Sequence, residues 1–213
     1  MSTNTNTVKV PSVIAVLDED DFKWGYEASD QPNAIRNLKL TLEPQQHTFY
    51  PDLDPIFRSI DEIAAKEITA AKGYDQDRRV ERLVAKYIGA VYQHAVKKIA
   101  EEELDGGVVG LTKAFVITVP AIWSDNAKCA MLRAVRRAHD DLKDVSQSEL
   151  LLEPEAAALF TLEHYKLRGL KKNDTLVVCD AGGGTVDVIS YKVTAVVPRL
   201  RIQELTVATG TCQ

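Results

Sequence analysis

Val178-Cys179-Asp180-Ala181-Gly182-Gly183-Gly184-Thr185-Val186-Asp187 decides how this chain is read. Apolar residues run up to Asp180, three glycines interrupt them, and apolar residues resume after Thr185. The pattern predicts a strand over 174–180, a turn over 181–184 and a second strand over 185–193. Residues 199–207 alternate and predict a third strand, which makes a meander. Consecutive glycines allow a tight turn and bring bare N–H groups together. Such groups form a concave anion site suited to phosphate. Asp180, at the strand end, can hold hydrated Mg2+, a cation that prefers one or two carboxylates plus water. Thr185 adds a hydroxyl. The same residues also suit a plain glycine-rich hairpin turn.

Working back from this stretch, residues 114–119 are rich in β-branched and aromatic side chains and end at Pro120, which predicts a buried strand. Ser124-Asp125 caps a helix with apolar Ala127, Ala130, Met131, Ala134, Val135 and Ala138. Residues 150–152 predict another short buried strand, and Pro154 opens a helix to about residue 167. Strand–helix–strand–helix order predicts a parallel α/β sheet. Glu153 then ends a strand at a helix N-terminus. It could face a metal or a water at the C-terminal edge of the sheet, where ligands bind in open α/β folds. Equally, an acidic group before an N1 proline is ordinary capping. Thr118-Val119-Pro120-Ala121 alone reads as a strand ended by proline.

Nearer the N-terminus, residues 1–10 are polar and read as a flexible tail. Residues 13–17 predict a short strand, 18–21 an acidic turn and 22–26 a returning strand. Residues 28–53, with Pro32, Pro44 and Pro51, predict loop with one short helix near 33–40. Asp54-Pro55 starts a helix to about residue 71, stopped at Gly73. A long helix begins near 75–77, its apolar stripe running from Val80 to Ile99 in alternating steps of three and one.

Composition excludes several classes. The 26 Lys and Arg against 31 Asp and Glu leave a net charge of −5, so bulk charge cannot drive nucleic-acid binding. Hydrophobic residues at 45% and charged residues at 27% fit a globular protein and exclude global disorder. Cys129, Cys179 and Cys212 are far apart and form no Cys-x-x-Cys, which reads as reduced intracellular thiols. Cys179, inside a predicted buried strand, reads as inert packing. His47, His94, His139 and His164 lack metal-ligand spacing. No run approaches the ~20 apolar residues of a membrane span. The start, MSTNTNTVKV, has no apolar core of a secretory signal. The expectation is a soluble cytoplasmic protein, with the nucleus also open.

The motifs gain specificity in combination. Phe115-Val116-Ile117-Thr118-Val119-Pro120-Ala121, then Leu152-Glu153-Pro154-Glu155-Ala156-Ala157-Ala158, then Val178 through Asp187 resemble, in order and spacing, the nucleotide-binding domain of the 70-kDa heat-shock chaperone family. That family belongs to the actin/hexokinase-like ATPases. Weaker likeness reaches back through Trp24-Gly25-Tyr26-Glu27-Ala28 to Val13. Trp123-Ser124-Asp125 and Cys179-Asp180-Ala181 look like the family's divergent branch, whose members often lack the usual peptide-binding domain. The resemblance implies roles residue by residue. Asp180 matches the aspartate that holds hydrated Mg2+, and Glu153 the carboxylate on the Mg2+ and water side. Gly182, Gly183 and Gly184 match the second phosphate loop, with Thr185 near the γ-phosphate. Asp187 matches an acidic residue near a bound cation and the attacking water. Pro120 matches a proline that switches with nucleotide state. Lys128 stands where the family usually has a relay arginine, and loses its bidentate fork. Lys39, in Asn37-Leu38-Lys39-Leu40, is the candidate for the catalytic lysine.

The resemblance also implies an architecture: α/β, of the actin-like (ribonuclease H-like) ATPase type. Residues 11–170 would form the first lobe, incomplete, and residues 171–213 the opening meander of the second. The family begins with Asp-x-Gly-Thr-Thr, which does not precede Val13, and continues past the segment matching Gly210-Thr211-Cys212-Gln213. The expected function is a partial chaperone-like ATPase domain with ancestral Mg2+-ATP binding and hydrolysis, here at most weak nucleotide binding. The alternatives are a non-catalytic interaction or regulatory module, or an incomplete gene product. The implied cofactor is Mg2+ with ATP or ADP. The implied partners are nucleotide and an unknown protein, with no nucleic acid and no membrane. The two lobes of the complete fold share a core sheet, so the meander is also expected to join the sheet beside residues 114–119.

Overall fold

Contacts divide the chain into two units, residues 1–113 with 129–145 and residues 114–128 with 146–213. The computed structural model describes residues 10–17, 22–43, 56, 58–60, 78–102, 110–140, 145–164, 169–182 and 185–212.

The first unit starts from a three-residue apolar strand, β1 (Ile14–Val16), buried throughout. It pairs antiparallel with β2 (Phe22–Trp24), Ile14 opposite Trp24. Its other edge is taken by Ile35, which exchanges two backbone hydrogen bonds with Ile14 at 2.8 and 3.1 Å. A single helical turn, α1 (Tyr26–Ser29), lies between. The helix expected near 33–40 is therefore displaced. Ile35 has both backbone groups committed to β1, and the chain turns only at Asn37, in the left-handed region at φ 55. Asparagine tolerates that conformation better than most residues. A 3-10 turn over Leu38–Leu42 comes next and buries three leucines.

The long predicted helix is present as α2 (Arg79–Glu102). Its first turns bury Leu83, Val84 and Ala85, whereas Ile99 near its end is exposed. Trp24 meets the edge of Tyr87 and of His94 on this helix, ring centroids 6.2 and 5.3 Å apart. The third helix, α3 (Asp125–Asp140), belongs to this unit from Cys129 onward. It buries Ala130, Met131, Ala134, Val135 and Ala138, the stripe expected from the spacing. Between α2 and α3 runs a bidentate ion pair. Arg133 donates through Nη2 to Glu81 Oε1 at 2.6 Å and through Nε to both carboxylate oxygens at 3.0 and 3.1 Å. Glu81 is buried and Arg133 half-exposed. The expected helix over 54–71 lies mostly outside the described residues; 56 and 58–60 are helical.

In the second unit β3 (Lys113–Val119) pairs with β4 (Val145–Leu152) in a two-stranded sheet. The apolar run predicts burial on both faces, but Val116 is 61% exposed and only Val119 is buried. A two-stranded ladder with one covered face buries alternate residues, not a whole run. β4 passes directly into α4 (Glu153–His164). A four-stranded antiparallel sheet comes after it: β5 (Thr175–Ala181), β6 (Thr185–Ala195), β7 (Arg201–Glu204) and β8 (Thr209–Cys212).

β6 organises that sheet. β5 pairs along residues 186–192, so β7, on residues 191–195, and β8, on 185–188, share its other edge end to end. The inward face of the β5–β6 pair carries Leu176, Val178, Ile189 and Tyr191, packed against Ala158 of α4. Alternation puts Cys179 on the opposite face, where it is exposed, so the expectation of inert packing is corrected. β8 adds a strand beyond those expected, because Thr209–Cys212 has no apolar alternation to announce it. Among the described residues β3 ladders with β4 and not with the meander, so the expectation of one joined sheet is not met. No described helix is long and apolar enough to cross a membrane.

The Glu81–Arg133 pair generates a stability prediction. Arg133→Leu leaves a buried carboxylate without its fork and is expected to lower stability by about 2 kcal/mol, less than a fully buried pair because Arg133 is half-exposed. Replacing both residues with leucine should recover most of that loss. Urea denaturation of the two variants checks it.

Candidate functional site

The inward row of the β5–β6 hairpin changes character at its loop end. Leu176 faces Tyr191 and Val178 faces Ile189, but the next inward pair is Asp180 and Asp187. Directly opposed residues on one face hold their Cβ atoms roughly 4.5–5.5 Å apart, and like charges there repel. One further pair, Ala181 with Val186, leads into the glycine turn. Asp180 is half-buried, whereas Asp187 is 0% exposed.

A buried carboxyl group needs hydrogen-bond partners. Asp187 Oδ1 accepts one from the Ile122 backbone N–H at 3.1 Å. Asp187 Oδ2 is buried and has no hydrogen-bond partner among the described residues. Ile122 sits in the turn after β3. Buried Pro120 ends that strand, and the Trp123 N–H closes the turn onto the Pro120 carbonyl at 3.3 Å. Ser124 Oγ then accepts the Ala127 N–H at 3.2 Å, capping the first turn of α3. The proline turn is thus tied to β6 through the Asp187 side chain.

On the other edge of β6, Gly210 of β8 stands opposite Asp187. A Cβ at Gly210 would collide with the Val186 carbonyl oxygen and press the Ile122 side chain at 3.1 Å. Only glycine lets β8 lie this close. Farther along the inward row, Tyr191 is 3% exposed, and its hydroxyl also has no hydrogen-bond partner among the described residues. Its phenol is pushed up to about 12, chiefly by burial and then by the carboxylates of Glu155, Glu204 and Asp187.

Asp180, Gly182, Asp187, Pro120, Lys128 and Glu153 all fall within the second unit. Glu153 opens α4, half-buried, ahead of fully buried Pro154. Lys128 is half-buried in the first turn of α3, where its N–H reaches the Ser124 carbonyl at 3.0 Å. Lys39 lies in the first unit, half-buried in the 3-10 turn. Gly183, Gly184 and the Thr185 side chain lie outside the described residues. Among the described residues no three His, Cys, Asp or Glu side chains converge to ligate a metal directly. Two contributors escape sequence reading. Ile122 acts through its backbone and carries no signal. Gly210 could have been found as a lone glycine between threonines, but only with β8 recognised as a strand.

Two outcomes are expected from this geometry. Gly210→Ala should destabilise the second unit by about 1–3 kcal/mol, because backbone blocks the added methyl; thermal unfolding measures it. Tyr191→Phe removes a buried, unpaired hydroxyl and should be neutral or stabilising by about 1 kcal/mol. The wild-type phenol binds its proton more tightly folded than unfolded. Its contribution is therefore full below pH 10 and fades as pH rises from 10 towards 12, while the phenylalanine variant lacks that loss. Denaturation across that interval separates the two.

Comparison with known proteins gives a consistent result. The family profile described as Hsp70 protein matches residues 3–195. The chain is 31% identical over 182 residues to the chaperone protein DnaK of Buchnera aphidicola subsp. Schizaphis graminum, a match that covers 84% of this chain and 26% of that relative. The match runs through both units, and the carboxylate pair at the glycine hairpin lies inside it. The chain belongs to the Hsp70 family, within its nucleotide-binding domain.

Proposed function

We propose that this chain supplies the second phosphate loop and the Mg2+-side carboxylates of an Hsp70-type ATPase of actin-like architecture. Residues 11–170 would belong to its first lobe and residues 171–213 would open its second. One observation carries the reading. Two aspartates oppose each other at the mouth of a glycine hairpin, and one of them keeps a buried oxygen without a hydrogen bond among the described residues. Such a pair is unfavourable by itself and favourable beside positive charge. The residues present therefore fit a hydrated Mg2+ accompanying ATP or ADP. When bound, the cation would neutralise phosphate charge and polarise the terminal phosphoryl group.

The chain's own residues take these parts. Asp180 and Glu153 would hold the cation through water. By the family resemblance, Gly182, Gly183 and Gly184 would supply backbone N–H groups to phosphate and Thr185 its hydroxyl. Asp187 would orient the attacking water through Oδ2, which is buried in this structure, while Oδ1 stays on Ile122. That hydrogen bond gives Pro120 a physical route to sense the nucleotide: a shift of the Asp187 carboxyl pulls on the turn that Pro120 begins. Lys39 is the candidate catalytic lysine, and Lys128 holds a positive charge near that turn without the fork of an arginine.

Isothermal calorimetry with ATP tests the reading. The 213-residue chain is expected to bind ATP only when Mg2+ is present. Asp180→Ala should weaken that binding at least tenfold, about 1.4 kcal/mol. Asp187→Asn should spare binding more than turnover, if turnover is detected. Heat that is absent, or unchanged in Asp180→Ala, would reject the assignment and leave a non-catalytic interaction module as the better description.

A further inference from the structure

The β6–β7 turn lies outside the machinery proposed above and carries a feature of its own. A cavity of about 470 Å3 opens there, lined by Ala195, Val197, Pro198, Arg199 and Arg201. Its walls combine aliphatic surface with two guanidinium groups. Val197 is 82% exposed at its rim. Neither arginine side chain has an ion-pair or hydrogen-bond partner among the described residues. Among those residues no carboxylate lines the cavity.

The backbone holds this cavity in shape. The β6–β7 ladder shifts register between Val193 and Ala195, so the last pair is Ala195 with Arg201. A bulge of this kind re-aims the side chains beyond it. Thr194 Oγ1 adds a hydrogen bond to the Arg201 carbonyl at 3.2 Å, tying the two strands where they part. Arg201 is therefore anchored by its own backbone at the cavity wall.

We infer that this turn is a docking pocket for a partner-protein segment that carries acidic side chains beside aliphatic ones. The guanidinium fork pairs bidentately with carboxylate. The aliphatic walls of Ala195, Val197 and Pro198 suit a leucine-sized neighbour, and the volume lies in the range of ordinary ligand pockets. Charge complementarity selects an acidic partner over a basic one, since the lining offers two cations and no anion. Nucleic acid is disfavoured: two arginines release few counterions, no aromatic ring of the lining offers a stacking face, and the chain carries a net charge of −5.

Fluorescence anisotropy with the whole chain tests this. The probe is a fluorescein-labelled peptide of alternating glutamate and leucine, and the control replaces every glutamate with lysine. The acidic peptide should bind and the basic one should not. Arg199→Glu with Arg201→Glu should weaken binding at least tenfold, and Val197→Asp should weaken it as well. Arg199→Gln with Arg201→Gln repeats the test if the reversed charges unfold the chain, and circular dichroism reports folding for each variant. Equal binding of both peptides, or unchanged affinity in a folded arginine variant, overturns the inference. Full displacement by inorganic phosphate with Val197→Asp unaffected also overturns it, because the site would then be a simple anion site.

Discussion

The hydrogen bond from the Ile122 N–H to Asp187 Oδ1 is the contact on which the second unit depends. It reaches from the turn after one sheet to the inward face of another. Burying a carboxyl group is costly unless its oxygens find donors. Here one oxygen finds a backbone donor, and the other finds none among the described residues. That half-satisfied state constrains everything near it. β8 must approach closely enough to close the opposite edge of β6, which requires glycine at 210. The proline turn must present its N–H inward, which requires the tight closure of Trp123 onto Pro120.

β6 makes these demands compatible because it is paired along both edges. β5 fills one edge, and β7 and β8 divide the other. A strand fixed on both sides cannot slip by one residue without turning Ile189, Tyr191 and Val193 out of the core. Register thus locks Asp187 opposite Asp180. The packing of Tyr191 and Ile189 on Ala158 of α4 supplies the apolar free energy that holds two like-charged side chains face to face. The position of the carboxylate pair is a consequence of hydrophobic register two and four residues away.

Much of this is legible in the sequence, for identifiable reasons. The β5–β6 hairpin announces itself because apolar residues stop and resume around three glycines. α2 and α3 announce themselves by apolar spacing. Asp180 can be named because it stands beside the turn, whereas Asp187 is named only through the family resemblance. What cannot be read depends on tertiary contact. The run from Ala114 to Val119 promises more burial than it receives, since an apolar run does not say how many faces will be covered. Cys179 is exposed for the same reason. No helix forms across 33–37 because Ile35 is claimed by Ile14, a pairing no local pattern records. β8 and the Ile122 N–H become visible only once β6 is in place.

Two buried carboxylates, Glu81 and Asp187, show how a structural group differs from a site. Glu81 has both oxygens engaged by the fork of Arg133, and its charge is answered where it stands. Such a pair holds one helix to the next and asks for nothing more. Asp187 is more deeply buried and less satisfied: one backbone donor, one buried oxygen without a hydrogen bond among the described residues, and another aspartate across the ladder instead of a cation. Selection for stability alone would replace Asp187 with an apolar residue or give it an arginine. A fold that keeps it buried opposite Asp180, with Oδ2 unpaired among the described residues, retains a carboxyl group that its neighbours answer only in part. The neighbouring backbone fixes where that carboxyl group stands, because Oδ1 is bound to the turn that Pro120 begins.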